Sequence, residues 1–174
     1  MKQIDINKIY NFTKNKIFPL NRSLTGDGNR KTLQLIKKLI PELKIKSIRS
    51  GKKVFDWKVP PEWEIKYAYV EDKFKNKLID FKKNNLHLIG YSSPISKKIN
   101  KLQLLKKIYS IPKQPNAIPY ITSFYKKRWG FCATHNQVNK IKKKYKDNDK
   151  FKVEIKSSFK KRGVLNYGEV FIKG

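Results

Sequence analysis

The sequence of 174 residues contains one cysteine, Cys132, and two histidines, His87 and His135. A single thiol excludes an internal disulfide framework and suits a reducing compartment, so a cytoplasmic location is expected. No apolar run approaches the roughly 18 residues that span a bilayer, and Met1-Lys2-Gln3-Ile4-Asp5 has no apolar signal core, so no membrane partner is expected. Acids are scarce: 13 Asp and Glu stand against 42 Lys and Arg, for a formal charge of +29. Arginine is scarce as well, confined to Arg22, Arg30, Arg49, Arg128 and Arg162. The remaining cations are lysines, and the chain is rich in Asn and Ile, which is the pattern an AT-rich coding sequence favours. The lysines are scattered over positions that would be solvated anyway. The charge therefore reads first as a surface coating and second as a polyanion surface. Weak, salt-sensitive attraction to DNA follows from such a charge without a dedicated site, so no specific nucleic-acid partner is expected.

What is present is globular in character, with 39% hydrophobic and 13% aromatic residues. A chain of this length buries roughly 70% of its unfolded surface, so neither disulfides nor a structural metal is needed to stabilise it.

In chain order, Ile6, Ile9, Tyr10, Thr13 and Ile17 make one helical stripe over 5–17, which Pro19 ends. Gly26-Asp27-Gly28 reads as a turn whose carboxylate caps a helix over 28–40. Alternation over 43–50 predicts a strand. The texture then changes to aromatic, proline-punctuated sequence with short strands at 65–71, 77–81 and 86–92. Asn100 and Gln103 fit a capping box for a helix over 101–110. Trp129 and Phe131 are expected on one face of a strand, with Gly130 and Cys132 on the other. A brief helical turn over 137–141, a strand around Phe151, Val153 and Ile155, and a last strand over 164–172 complete the reading. The chain stops at Gly174 directly after that apolar strand, which reads as an incomplete chain.

The chemical candidates are few. Cys132 and His135 invite a nucleophile–base reading with Asn136 beside them, but odd spacing on a strand places two side chains on opposite faces. Only a helical turn starting near Cys132 would bring them together, and a lone cysteine among aromatics is more often inert and buried. Metal sites need three or four ligands, and His87, Cys132 and His135 show no paired ligand spacing. His87, between apolar neighbours, reads as a hydrogen-bonded structural histidine. Asp56, Glu62, Glu71, Asp72 and Asp80 show no acid–base spacing. Trp57, Trp63, Tyr67, Tyr69, Tyr91, Tyr120, Tyr125 and Trp129 read as sheet core and boundary residues ahead of a ligand groove. Spacing alone shows no catalytic constellation.

The motifs add a resemblance. Phe18-Pro19-Leu20-Asn21-Arg22-Ser23-Leu24-Thr25-Gly26-Asp27-Gly28-Asn29-Arg30-Lys31-Thr32-Leu33 resembles the N-terminal signature of a bacterial aminopeptidase-like family, described as polysaccharide biosynthesis proteins with an aminopeptidase-like domain. The resemblance continues through 51–63, through Asp80-Phe81 with 84–92, through 118–136 and through Leu165-Asn166-Tyr167-Gly168-Glu169. It implies an α+β chain: the helical N-terminal segment of a split α/β aminopeptidase-like domain, with an inserted and mostly antiparallel β-rich domain. The implied boundaries are 1–51 for the first part, 52–162 for the insertion and 163–174 for a strand returning to the aminopeptidase-like domain. The family's zinc-ligand segment would follow the Tyr167-Gly168-Glu169 strand. No residue of this chain matches a zinc ligand, so no metal or catalytic residue is assigned, and zinc is implied only for a complete family member. A small peptide-like substrate is implied, with Arg22, Arg128, Trp129 and His135 as candidates to face its cleft. Two other readings compete: a basic binding module for nucleic acid or acidic polysaccharide, and a Cys132/His135 hydrolase.

Overall fold

The computed structural model describes residues 5–173. The chain is α+β and divides into two compact units, Met1–Trp63 with Phe159–Gly174, and Glu64–Ser158.

In the first unit, Asp5 accepts from the Lys8 amide at 3.0 Å and so starts α1 (Ile6–Phe12). The helix runs on as a π-helical turn over Thr13–Ile17 before Pro19. Gly26 sits at φ 94°, in the left-handed region that glycine enters without a Cβ penalty, and caps α2 (Asp27–Leu39). Asp27 is thus the first helical residue, and its carboxylate takes the Arg30 guanidinium one turn on. β1 (Lys44–Arg49) pairs antiparallel with β10 (Val164–Glu169), with Ile48 opposite Leu165. β10 stops at Glu169, short of the expected 172. A tight hairpin of β2 (Lys53–Val54) and β3 (Trp57–Lys58) follows β1. Ile17, Leu43, Val59, Trp63 and Leu165 are the buried apolar residues of this unit.

The second unit is built on a four-stranded sheet in the order β5 (Lys77–Asp80), β4 (Glu62–Glu71), β9 (Lys150–Lys160), β6 (Ile95–Asn100). The unit boundaries fall within β4 and β9. Period-2 alternation sets the faces: Phe151, Val153 and Ile155 are buried, while Lys152 and Glu154 between them are half-buried. The β9–β6 register puts Phe151 opposite Ile99 and Ile155 opposite Ile95. The β4–β5 turn is organised by Asp72, which accepts from the amides of Phe74 at 2.9 Å and Asn76 at 2.8 Å.

Two helices lie outside the sheet. α3 (Lys101–Leu105) carries the expected Asn100/Gln103 capping box but is only five residues long. Ile108 and Tyr109, expected to continue it, instead form β7 (Ile108–Tyr109), parallel to β8 (Phe131–Cys132). α4 (His135–Lys144) is a full helix where a brief turn was expected, started by a Thr134/Gln137 capping box. The expected strand over 86–92 is instead a 3-10 turn at Asn85–His87 followed by single bridges at Leu88 and Gly90.

Candidate functional site

The parallel β7–β8 pair brings two distant segments together. The amide of Phe131 donates to the Lys107 carbonyl at 2.8 Å, and that of Ala133 to the Tyr109 carbonyl at 3.0 Å. This ladder fixes residues 107–110 beside 128–135. Phe131 and Cys132 are both fully buried, so neither face of β8 meets solvent.

Three of the four sequence candidates lie in this unit, along the ladder. His135, the first residue of α4, is hydrogen-bonded through Nδ1 to the Ser110 hydroxyl at 3.0 Å. Arg128 donates to the Thr122 carbonyl at 2.9 Å and stands 6.0 Å over the Tyr109 ring. Its Nε is buried without a hydrogen-bond partner. Trp129 is half-buried under two ammonium groups, Lys107 at 5.2 Å and Lys97 at 5.7 Å from its ring centroid. Tyr109 and Ser110, adjacent in sequence, therefore link Arg128 to His135. The fourth candidate, Arg22, is exposed on the loop ahead of α2 in the other unit.

The Ser110–His135 pair borders an open groove of about 590 Å³ that also exposes Lys106 and Lys142. A serine–histidine nucleophile would need a group to orient the far ring nitrogen. Ser110 is the only hydrogen-bond partner of the His135 ring among the described residues. The pair can donate and accept hydrogen bonds at the edge of this groove.

The Cys132–His135 pairing does not form. Cys132 lies on β8, His135 begins the next helix and turns to Ser110, and the Cys132 carbonyl accepts instead from Nδ1–H of buried His87 at 2.8 Å. Burial pushes the Cys132 thiol up to about 11, so it is not a thiolate at neutral pH.

The most perturbed carboxylates belong to scaffolding. Glu62, almost fully buried, is held down to about 2, first by the Arg30 guanidinium and also by the Val164 amide and Lys160. Burial would push the Asp72 carboxyl up, but hydrogen bonds from Asn76, Tyr145 and Phe74 outweigh it and hold it below the usual range. Among the described residues, no three His, Cys, Asp or Glu side chains converge as metal ligands. The zinc implied by the family resemblance therefore has no fitting ligand set in these residues.

Sequence reasoning missed Ser110, Tyr109, Lys97 and Lys107. Ser110 is 25 residues from His135 and Lys97 is 32 from Trp129, so no local spacing could have joined them.

Residues 62–158 match the family described as a domain of unknown function, DUF2172. The chain belongs to that family. This DUF2172 chain is 45% identical over 167 residues to a Clostridium acetobutylicum protein provisionally named a polysaccharide biosynthesis protein with aminopeptidase-like domain. The alignment covers 96% of this chain and 37% of that relative. A crystal structure of a provisionally assigned peptidase from C. acetobutylicum matches with a TM-score of 0.86 at 45% identity, covering 97% of this chain and 38% of the other. The chain thus spans little more than a third of the length of these relatives. Their names agree with the aminopeptidase-like resemblance read from the motifs.

Proposed function

We propose that this chain is the N-terminal portion of an aminopeptidase-like zinc metallohydrolase that acts on small peptide-like substrates. Its metal centre is supplied by polypeptide beyond the residues described here, and by itself it neither holds catalytic zinc nor hydrolyses peptides. One observation carries the reading. The chain matches relatives with peptidase-like names along almost its whole length, yet its described residues contain no cluster of metal-binding side chains. A catalytic zinc requires three protein ligands and an open position, and no three His, Cys, Asp or Glu side chains converge among the described residues to supply them. In this reading, Arg128, Trp129 and His135 are cleft-facing residues of the second unit, Arg22 is a separate candidate in the first, and hydrolysis depends on a ligand segment elsewhere.

The experiment compares this chain with a version extended along the relative's length. Zinc binding is followed by calorimetry, and turnover with aminoacyl anilides. The extended protein is expected to bind zinc stoichiometrically and turn over substrate, and the 174-residue chain to do neither. Tight zinc or turnover by the short chain would overturn the reading.

A further inference from the structure

The scarce carboxylates are not evenly spread. Between Phe81 and Lys146 the sequence has sixteen Lys and Arg and no Asp or Glu. Of those cations, only Lys101 is in an ion pair among the described residues, with Asp147 at 2.8 Å. Coding bias accounts for many lysines, but it does not remove acids from one segment while leaving thirteen elsewhere. The segment builds α3, β7, β8 and α4, the frame of the groove beside Ser110 and His135.

The groove is two-sided in chemistry. Leu102, Leu105, Ile108 and Val138 form its floor, and Lys106 and Lys142 stand on its rim. Leu102 is 51% exposed within this lining. An apolar floor with an uncompensated basic rim complements a segment that is apolar along one stripe and acidic beside it.

We propose that the α3–α4 groove docks an acidic amphipathic peptide helix, its apolar stripe on the Leu102–Val138 floor and its carboxylates at Lys106 and Lys142. Other polyanions fit less well. Nucleic acid and acidic glycans bring charge but no aliphatic stripe, and single strands bind through free aromatic faces. The groove's own lining offers the ring of Tyr109, and the Arg128 guanidinium already stands 6.0 Å from its centroid. A second copy of this chain, at +29, is repelled by the same charge that attracts an acidic segment. The proposal goes beyond the hydrolase reading and does not depend on it.

The test is fluorescence anisotropy of the whole 174-residue chain with a labelled Glu/Leu peptide patterned as an amphipathic helix, at physiological salt. The comparators are a scrambled peptide of the same composition, a Lys/Leu peptide and an oligothymidylate. The patterned acidic peptide is expected to bind about tenfold tighter than its scramble or the oligothymidylate, and the Lys/Leu peptide not at all. Leu102→Gln, at an exposed position, and Lys106→Glu with Lys142→Glu should each weaken binding about tenfold, while Lys156→Glu, at an exposed position of β9, should not. Equal binding of the scrambled peptide or the oligothymidylate, or full affinity in Leu102→Gln, would reduce the site to generic electrostatics and overturn the proposal. Absence of binding by the patterned peptide would overturn it as well.

Discussion

Arg30 Nη2 donates to Glu62 Oε1 at 2.8 Å, joining α2 to the start of β4. Glu62 is 3% exposed, and its second oxygen accepts from the Val164 amide at 3.0 Å, so one carboxylate ties together three segments of the first unit. Removing the charge while keeping the shape, Glu62→Gln, leaves Arg30 beside a neutral amide and should cost about 2–3 kcal/mol in urea denaturation. The pH dependence has a definite sign. The folded carboxyl is held at about 2, below its ordinary 4.5, so its contribution is complete above 4.5 and lost as pH falls toward 2. That loss amounts to roughly 3 kcal/mol, and it should be absent in Glu62→Gln. Equal acid sensitivity in the two proteins would contradict this role.

Gly163 is held close against the same side chain. A Cβ there would stand 2.2 Å from the Glu62 Cβ. Gly163→Ala should therefore displace Glu62 and destabilise the chain by about 1–3 kcal/mol. Because both changes act on one contact, Gly163→Ala combined with Glu62→Gln should lose less than the sum of the single losses in a double-mutant cycle.

In the second unit, Tyr145 donates to Asp72 Oδ2 at 2.8 Å, and burial together with that bond pushes its hydroxyl up to about 12. Tyr145→Phe removes one of several donors to Asp72 and should cost about 1 kcal/mol. Asp72→Ala should cost more, since it strands the Tyr145 hydroxyl and the amides of Phe74 and Asn76 without their acceptor. A larger loss in Tyr145→Phe than in Asp72→Ala, read by thermal unfolding, would contradict this hierarchy.

Cys132 is fully buried, with its thiol raised to about 11. Iodoacetamide should modify it far more slowly in the folded chain than after unfolding in urea at every pH between 6.5 and 8.5, the rate in the folded chain rising about tenfold per pH unit with the small thiolate fraction. Rapid alkylation of the folded protein near neutral pH would restore a Cys/His hydrolase reading.

Features held by neighbouring residues were legible in the sequence. The Asn100/Gln103 capping box and the alternation of Phe151, Val153 and Ile155 stand as expected. The misreadings came where distant contacts or irregular backbone override the local pattern. Ile108 and Tyr109 fall at helical spacing from Leu104 and Leu105, but pairing with Phe131 and Cys132 draws them into a strand. The run from Leu86 to Ser92 looks extended, yet the Asn84 side chain accepts from the Leu86 amide to start a turn, and Tyr91 takes φ 65°. β6 escaped notice because Ile95 and Ile99 are its only apolar residues, as an edge strand with mostly exposed side chains allows. The groove was illegible for a related reason: its floor joins Leu102 to Val138 through tertiary packing alone.

The most direct test of the central claim is the zinc stoichiometry of the purified 174-residue chain, measured beside that of the version extended along its relative. The account predicts substoichiometric, weakly held zinc on the short chain and one tightly held catalytic equivalent or more on the extended one. Tight stoichiometric zinc on the short chain, released only by a strong chelator, would contradict it.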